Sequence, residues 1–584
     1  MQTGFRGITE RWGAALLAGG AMVLAVGFTL GLHADPMGAL RGERVIGAFH
    51  DSHVWCFDHI FRMFSGDVPR SGSTDKLGWP DPVALPLVAW VPAILSAPIR
   101  AWAGPLQAFN AALVFGPALS VLITWLWLRR VFSVGVFGAF AGSVVYAACP
   151  YALGCLASGQ VEKVQVWCVP LVLLGLDRAI RGTLGKWVFL VLPLSVVAAA
   201  MTSPSSALVL PFAAGLQVAW SVWQTGRSRR EVGVGLLALG LVAMSLGGVR
   251  GYYGDLSSAP TDGGVHQFGD QRMRSAFSPG TPPAEEALLE PSIVAQPQEL
   301  FLGRDTRRPD PTRAAHVTYL GLPVLLAFVG LSIWSSRGRG LGIALVVVGV
   351  VLAMGPKLAM SGQYVLLGGR SVVLPAAWLD AYGYPTSESG MYYRFVQLAS
   401  LGLALGLASG LRRWPTWVQI LLGVGVLGAQ LWDSHRATAD LWPRPVETFE
   451  NAALFRSWAD DPVPGAVVDL PLEADQRAGG VYMLGAALHG RPTTALPRQS
   501  RPDELPQLAR VEDWLRAALE LGDPQQGGDF LASRGVRYLV CHARCRRPQG
   551  RYKSLVVGLG EPHDGGGIAW WRFDSSTGAA GSVK

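Results

Sequence analysis

The residues Ala101–Leu128 read AWAGPLQAFNAALVFGPALSVLITWLWL, and Arg129-Arg130 follow directly. This run has no charged side chain and is longer than the roughly 20 residues that a helix needs to cross a bilayer. Basic residues beside a span collect in cytoplasmic loops, because charge within about 15–20 residues of the span fixes its orientation. The stretch therefore predicts a membrane-crossing helix that ends on the cytoplasmic side.

The same pairing of an apolar run with a short basic loop recurs along the chain. The other basic sites are Arg178/Arg181/Lys186, Arg227/Arg229/Arg230, Arg337/Arg339 and Arg412-Arg413. The remaining connections are long and poor in clustered arginine. The spacing of the arginines thus assigns a side of the membrane to nearly every segment.

The overall composition excludes an ordinary soluble protein. Of 584 residues, 50% are hydrophobic and only 15% are charged, which is far from the composition of a globular domain. The net charge of +8 would otherwise point to nucleic acid. Because the basic residues lie in loops beside spans, membrane orientation explains them and no nucleic-acid partner is expected.

Applied to the whole chain, the pattern predicts eleven crossings, with the amino terminus cytoplasmic and the carboxyl terminus outside. The predicted spans are 13–32, 105–128, 131–150, 164–180, a two-span hairpin in 187–226, 232–249, 316–334, 341–356, 394–411 and 414–432. Residues 83–102 are apolar but hold three prolines, which strain a continuous helix. A crossing there would place Arg129-Arg130 outside, so we expect an interfacial or re-entrant helix instead.

The predicted fold class is an α-helical polytopic membrane protein with a small extracytoplasmic α/β domain at its carboxyl end. Residues 1–432 form the transmembrane domain, with outer loops 33–104, 250–315 and 357–393, and residues 433–584 form the α/β domain. Strands are expected at 466–471, 536–540 and 568–573, and helices at 508–521 and 529–533. No P-loop and no dinucleotide-binding glycine motif follows a strand.

The first outer loop carries the acidic side chains that are candidates for chemistry. Val54, Phe57, Phe61 and Phe64 follow a helical spacing, and the stripe predicts an amphipathic helix at the membrane surface. Asp51 and Asp58 lie seven residues apart on another face of the same helix. Either could act as general base or metal ligand, or Asp51 could cap the helix while Asp58 faces solvent.

The cysteines and histidines do not identify a metal. Cys541 and Cys545 form a C-x3-C pair beside His542, which fits a disulfide turn or half of a metal site. A second pair of ligands is absent from the sequence, whereas a structural zinc needs four. His50, His53 and His59 could join a divalent metal in the first outer loop, so the cofactor is unknown and the metal site unassigned.

Three further charged residues lie within or at the ends of apolar stretches, where charged side chains are rare. Arg394 is at the predicted outer end of a span, where a guanidinium could hold a lipid phosphate with two hydrogen bonds. It could instead anchor the helix at the interface beside Tyr392 and Tyr393. Glu162 and Lys163 stand in an apolar stretch between spans. They fit a phosphate-binding cavity or a simple outer turn equally well.

Several short motifs resemble the polytopic glycosyltransferases of the GT-C class, especially the bacterial branch that includes YfhO-like membrane proteins. In the membrane domain the motifs are Asp51…Trp55…Gly66-Asp67-Val68-Pro69…Gly78-Trp79-Pro80, Cys149-Pro150-Tyr151…Ser158-Gly159-Gln160, Tyr319-Leu320-Gly321-Leu322 and Tyr393-Arg394-Phe395. In the last domain they are Val468-Asp469-Leu470-Pro471-Leu472, His489-Gly490-Arg491-Pro492 and Gly535-Val536-Arg537-Tyr538-Leu539-Val540. The motifs cover most of the chain in the expected order.

The resemblance implies transfer of a sugar from a polyprenyl-phosphate donor to a lipid, glycan or protein acceptor. It places the reaction at the outer face of the bacterial cytoplasmic (inner) membrane. In the class, an acid of the first outer loop is the proposed base or metal ligand, and Asp51 matches that position. Two departures are present: Ser52 follows Asp51 where some branches carry Asp-Glu, and Gln160 stands where histidine often follows the glycine.

Two other functions remain open on the sequence. A non-catalytic membrane assembly or glycan-binding protein of the same fold is compatible with the missing Asp-Glu pair. A secondary transporter is less compatible, because such proteins tend to have repeated halves and charges at mid-membrane, and the chain shows no paired halves.

Overall fold

Twenty-three helical segments and twelve strands make up the computed structural model of the described part of the chain. It describes residues 20, 23, 27, 44–45, 51–68, 73–74, 76–81, 83–84, 89–157, 159–224, 229–257, 295–302, 318–332, 338–361, 363–381, 392–437, 447–448, 451–472, 476–495, 506–542, 552–565 and 567–574. The expected first span, 13–32, lies outside these ranges except for three isolated positions.

The membrane part is built from helices α1 to α16. Their bounds are α1 Asp51–Ser65, α2 Trp90–Leu95, α3 Ala97–Ala103, α4 Pro105–Phe132, α5 Val136–Ala147, α6 Pro150–Ala157, α7 Cys168–Ile180, α8 Val188–Thr202, α9 Pro204–Gln224, α10 Arg229–Ser257, α11 Pro297–Leu302, α12 Leu322–Ser332, α13 Arg339–Ala353, α14 Ala376–Ala381, α15 Val396–Leu411 and α16 Thr416–Ala437. Short 3₁₀ helices, Gly185–Trp187 and Tyr392–Phe395, precede α8 and α15.

Four of the described helices are long and apolar enough to cross a membrane. They are Pro105–Phe132, Gly185–Thr202, Ser206–Gln224 and Tyr392–Leu411, and the bent pair α5–α6 could be a fifth crossing. Shorter apolar helices run over Val232–Gly248, Leu322–Leu331 and Arg339–Ala353. The chain is thus a membrane protein of several apolar helices, and the count of eleven crossings stays a prediction.

Two predicted spans differ in detail from the observed helices. The span predicted at 131–150 is broken, because α5 ends at Ala147 and α6 begins at Pro150 with a bend of 49°. Proline lacks the N–H that would continue the helix, so a bend at Pro150 is expected. The span predicted to begin at residue 164 instead begins at Cys168, after a turn region.

The segment predicted to be interfacial is not a continuous helix. It contains the short helices α2 and α3, which meet at Ser96, and neither is long enough to cross a bilayer. Gly104 then adopts a positive φ of 101° and Pro105 opens α4. Proline suits the first turn of a helix because its missing N–H would have no partner there. The interfacial position itself stays a prediction.

Helix α15 lies at the centre of the membrane part. Every residue from Val396 to Leu411 is buried, and the helix packs against α5, α12 and α13. Glycines allow these close approaches: a Cβ on Gly349 of α13 would lie 2.5 Å from the backbone nitrogen of Ala399. The core of the membrane part is therefore a set of helices around α15, with α4 beside α5 and α7 beside α4.

Short two-residue strands form hairpins in the loops. They are β1 Arg44–Val45, β2 Ser73–Thr74, β3 Val83–Ala84, β4 Ala359–Met360, β5 Gln363–Tyr364, β6 Leu366–Leu367, β7 Arg370–Ser371 and β8 Glu447–Thr448. The antiparallel pairs are β2–β3, β4–β5 and β6–β7, and β1 pairs with the distant β8. The predicted outer loop 357–393 thus carries two hairpins and α14.

The carboxyl-terminal part is a four-stranded mixed sheet with helices. Its elements are α17 Ala452–Ala459, β9 Ala466–Leu470, α18 Gln476–His489, α19 Pro506–Glu520, α20 Pro524–Ser533, β10 Val536–Cys541, α21 Tyr552–Leu559, β11 His563–Gly565 and β12 Ile568–Arg572. The strand order is β11-β12-β10-β9, with β9 and β10 parallel and the other pairs antiparallel. All three strands expected from the sequence are present.

Candidate functional site

Helix α1 packs between the membrane part and the sheet domain rather than lying exposed at a surface. Val54, Phe57 and Ile60 are buried, but Phe64, which the apolar stripe includes, is 50% exposed. The helix contacts α18 of the last domain along much of its length and also α2 and α4. The amphipathic surface helix expected from the sequence is therefore buried on more than one face.

Asp58 is held by two arginines. The side chain is 2% exposed, its Oδ2 accepts from Arg62 Nε at 2.7 Å, and its Oδ1 accepts from Arg100 Nε at 2.8 Å. The Arg100 guanidinium also lies over the Phe61 ring at 4.6 Å. Both carboxylate oxygens are thus occupied by guanidinium hydrogen bonds, which fix the side chain in one position. The geometry favours a structural role for Asp58 over the predicted role as general base.

Asp51 begins helix α1. Its side chain lies outside the part that the structure describes, so its predicted role as base or metal ligand stays a prediction. Seven residues separate it from Asp58, which is about 10 Å along a helix axis. The two acids therefore lie two turns apart on the helix, and Asp58 is the acid that the described contacts join to the two arginines.

Arg394 is a buried cation for which the described residues provide no carboxylate partner. It lies in the 3₁₀ turn before α15 and is 6% exposed. Its Nε has no hydrogen-bond partner, and among the described residues no carboxylate pairs with its guanidinium. Burying an unpaired charge costs several kcal/mol. Tyr151 of α6 lies within electrostatic range of this guanidinium.

Glu162 and Lys163 lie in the turn region between α6 and α7. Glu162 is 7% exposed, and both charges act on the Cys155 thiol of α6. Glu162 also lies near Cys56 of α1. Burial and, to a smaller extent, the neighbouring Glu162 carboxylate raise the pKa of the Cys56 thiol to about 12. The turn between α6 and α7 therefore brings Glu162 close to both α1 and α6.

Hydrogen bonds to neighbouring helices hold this turn in place. Gln165 Nε2 donates to the carbonyl of Ala112 in α4 at 3.1 Å, and Trp167 Nε1 donates to Gln165 Oε1 at 2.7 Å. Tyr146 Oη donates to the carbonyl of Val166 at 3.0 Å. Buried polar groups that are satisfied in this way give the backbone one conformation. The charges that the turn carries are thus placed by the fold.

The structure therefore brings three of the five predicted site residues into one neighbourhood. Arg394 lies near Tyr151, Tyr151 near Cys155, and Cys155 near Lys163 and Glu162. Asp58 lies outside this neighbourhood, on the face of α1 that meets Arg62 and Arg100. Sequence reasoning missed Tyr151 as a neighbour of Arg394, although both lie in motifs of the resemblance.

The residues that hold Asp58 were also missed. Arg62 stands four residues after Asp58, and this helical spacing favours an ion pair. Arg100 lies 42 residues away in α3, and no local spacing indicates that contact. Among the residues that the structure describes, no three His, Cys, Asp or Glu side chains are grouped as metal ligands.

In the sheet domain, a second polar cluster lies at the end of β9. Asp469 Oδ1 meets His542 Nε2 at 3.0 Å, and Asp469 Oδ2 accepts from Thr493 Oγ1. The ring of Tyr482 packs on His542 with centroids 4.2 Å apart. Cys541, at the end of β10, is disulfide-bonded. The C-x3-C pair was compatible with a disulfide turn or with half of a metal site, and the disulfide bond of Cys541 agrees with the first alternative.

Comparisons with known proteins find low similarity over most of the chain. No family model matches, and no curated protein matches. The crystal structure of the Archaeoglobus fulgidus oligosaccharyltransferase in the apo form has a TM-score of 0.47 and 11% identity, over 93% of this chain and 71% of that one. The archaeal oligosaccharyltransferase AglB from the same organism, in complex with an inhibitory peptide and a dolichol-phosphate, has a TM-score of 0.44 and 10% identity, over 95% and 72%.

A bacterial structure is similar over almost its whole length. ArnT from Cupriavidus metallidurans bound to undecaprenyl phosphate has a TM-score of 0.40 and 12% identity, over 95% of this chain and 97% of that one. With TM-scores of 0.47 or lower and identities of at most 12%, these likenesses carry no further conclusion.

Proposed function

We propose that the protein transfers a sugar from a polyprenyl-phosphate donor to an acceptor at the outer face of the cytoplasmic membrane. The observation that carries the proposal is the buried Arg394 guanidinium, which has no carboxylate partner among the described residues. Charges inside membrane proteins line ligand pathways or pair with one another. Since the described residues provide no carboxylate for it, an anionic ligand is the natural counter-charge.

A phosphate on a lipid fits the surroundings of Arg394. A guanidinium offers two parallel N–H groups to phosphate oxygens, which a lysine cannot do. The neighbouring Lys163 adds a second positive charge near the same helix, α6. Glu162 offsets one positive charge when no phosphate is bound. A lipid carrier would bring its phosphate to this depth while its chain remains in the bilayer.

In the proposed reaction an acceptor hydroxyl attacks the anomeric carbon of the donor sugar. The bond between that carbon and the phosphate oxygen breaks, and the bonding pair leaves with the polyprenyl phosphate. Arg394 and Lys163 stabilise the charge that develops on this leaving group. Asp51 accepts the proton of the acceptor hydroxyl. Donor sugar, acceptor identity and any metal are left open by this scheme.

Binding of polyprenyl phosphate to the purified protein in nanodiscs tests the role of Arg394. We expect Arg394→Gln to weaken binding at least tenfold, because the variant loses the charge but keeps a side chain of similar size. Arg412→Gln is the matched control, since Arg412 lies at the opposite end of α15 and is exposed. Equal affinity of the Arg394 variant and the wild-type protein would contradict the proposal.

A non-catalytic role in the same membrane is the second candidate. It is favoured by the arginine pair around Asp58, which leaves Asp51 as the remaining predicted base. A transferase assay with a mixture of labelled polyprenyl-phosphate sugars separates the two functions. Turnover that Asp51→Asn abolishes supports transfer, whereas donor binding without turnover by the wild-type protein supports the non-catalytic role.

A further inference from the structure

Large apolar side chains are exposed in the segment that follows α13. The hairpins β4–β5 and β6–β7 and the short helix α14 lie in residues 355–381, which we call the loop unit. Five large apolar side chains of the loop unit are exposed, namely Met360, Leu366, Leu367, Val373 and Trp378. Concentrated apolar exposure of this kind is typical of surfaces that bind a partner protein or a membrane.

The length of α13 favours the membrane as the partner. The helix Arg339–Ala353 has 15 residues and is therefore about 22 Å long. Arg339 is exposed at its start, and a basic residue there is expected at one boundary of the hydrocarbon core. This core is about 30 Å thick, so even an untilted helix ends about 8 Å before the opposite boundary. The residues that follow α13 therefore begin within the opposite leaflet.

The exposed apolar surface of α13 continues into the loop unit. Ile343 and Val347 lie about one turn apart on α13, and both are exposed. Leu366 and Leu367 are neighbours in β6, so their side chains point to opposite sides of the strand, and both are exposed as well. The described part of the chain thus leaves both sides of β6 open. Apolar residues exposed on a membrane helix face lipid, and the same lipid lies next to β6.

The backbone of the loop unit is suited to the edge of an apolar layer. Leu358 N–H donates to the carbonyl of Val372 at 3.0 Å, Val365 N–H to that of Leu358 at 2.9 Å, and Val372 N–H to that of Val365 at 3.0 Å. Each of three chain segments thus donates to another, and the three close on one another. Non-helical backbone at membrane depth needs its polar groups satisfied within the protein, and these three positions meet that condition.

The charged residues of the loop unit indicate the boundary of the hydrocarbon core rather than its middle. The unit has three of them, Lys357, Arg370 and Asp380. Lys357 is buried, and Arg370 is exposed beside Leu367, its partner across the β6–β7 hairpin. An arginine at this depth extends its guanidinium to the lipid headgroups while its stem stays in the apolar layer. Tryptophan, here Trp378, is enriched at the same boundary.

We propose that the loop unit is a membrane anchor, whose exposed apolar side chains lie among the lipids at the end of α13 away from Arg339. In the predicted orientation this is the outer leaflet. Helix α13 packs against the 3₁₀ turn that carries Arg394, so the anchor holds the depth of that turn in the membrane. The proposal does not depend on sugar transfer, because its observations concern neither the charge of Arg394 nor the acids of α1.

Fluorescence of a single environment-sensitive NBD label in nanodiscs tests the anchor. The label is attached to the Leu367→Cys variant, since Leu367 is 71% exposed. Val557→Cys is the matched control, because Val557 is an apolar residue of α21 in the sheet domain and is 72% exposed. The four free cysteines that the structure describes are buried, and wild-type protein treated with the same reagent gives the background to subtract.

Two quenchers distinguish lipid from water at the label. We expect lipids with a nitroxide on the acyl chain to remove more than half of the emission at position 367 and little at position 557. Iodide in the buffer should give the reverse order, and the emission at position 367 should lie at shorter wavelength. Val373→Cys, on another strand of the loop unit, should behave like Leu367→Cys and replaces it if that variant does not fold.

Two results would overturn the anchor. Quenching by iodide at position 367 as strong as at position 557 would show that the loop unit faces water. Protection from both quenchers would show that protein covers it, either another part of this chain or a second copy.

Discussion

Single side chains decide how the acids of α1 can act. The pair Asp58–Arg62 is readable from the sequence because four residues separate it, as on one face of a helix. The contact to Arg100 depends on how α1 and α3 pack, and no local pattern encodes it. The sequence therefore shows where the acids are but not which acid remains available for chemistry.

We expect Asp58→Asn to destabilise the protein by about 3 kcal/mol, because it leaves two partly buried arginines without their carboxylate. Asp51→Asn, two turns earlier on α1, should change stability by less than about 0.5 kcal/mol. Thermal unfolding in the same nanodiscs measures both. Similar stability of the Asp58 variant and the wild-type protein would show that the two ion pairs contribute little.

His489 should make the last domain sensitive to acid. Burial lowers its pKa to about 3 in the fold, whereas the pKa is about 6.5 when unfolded, so between these values only the unfolded chain binds the proton. Stability is thus present above pH 6.5 and falls as the pH drops, by about 2 kcal/mol between pH 6.5 and 4.5.

The variant His489→Asn tests this sensitivity, since the amide oxygen can replace Nδ1 as acceptor for the N–H of Arg491. We expect its denaturation midpoint to change less between pH 6.5 and 4.5 than that of the wild-type protein. Hydrogen bonds from Arg537 and Tyr538 hold the pKa of Asp461 well below its usual range although burial raises it. Asp461 therefore does not titrate in this window, and equal pH profiles would contradict the role of His489.

At the scale of elements, apolar patterns predicted the type of most segments and not their ends. The strands β9, β10 and β12 are short, rich in Val, Ile, Trp and Tyr, and lie where the sequence places them. The sequence predicts that residues 164–167, in the turn region before α7, belong to a membrane span, because Gln165 has apolar neighbours on both sides. The hydrogen bond from Gln165 to the carbonyl of Ala112 in α4, which local sequence does not show, holds this region outside a regular helix.

Close packing of α13 on α15 should be sensitive to one methyl group. Gly349→Ala would place its Cβ 2.5 Å from the backbone nitrogen of Ala399, and backbone cannot move aside as a flexible side chain does. We expect a loss of about 1–3 kcal/mol. Gly425→Ala on the exposed side of α16, which meets nothing within 4 Å, should be neutral; comparison of the two midpoints in denaturant provides the check.

At the scale of the whole molecule, the last domain is attached to the first outer loop through backbone hydrogen bonds. Gly78 N–H donates to the carbonyl of Ala495, Trp79 N–H to that of Thr493, and Thr493 N–H to that of Lys76. More than 400 residues separate these partners in the chain. Such a contact could not be read from one sequence, although Gly78 and Trp79 lie in a motif that the resemblance uses and Thr493 directly follows another.

We expect Trp79→Ala to loosen this attachment, because the Trp79 ring packs edge-to-face on Trp514 with centroids 5.5 Å apart. Hydrogen–deuterium exchange should become faster at the amides of Gly78 and Thr493, whose N–H groups donate across this contact. Trp417→Ala removes an equally large side chain that is 65% exposed on α16 and serves as control. Unchanged exchange in the Trp79 variant would locate the attachment elsewhere.

The complete burial of α15 has a consequence for how the protein is made. A segment that enters the bilayer from the ribosome first meets lipid on all sides, but no side of α15 faces lipid in the finished molecule. Its many glycines and alanines give it a modest affinity for hydrocarbon, and Arg394 at its start lowers that affinity further. We therefore expect stable insertion of α15 to require that the earlier helices α5, α12 and α13 are already in the membrane. The packing of α15 against these helices then contributes to its insertion.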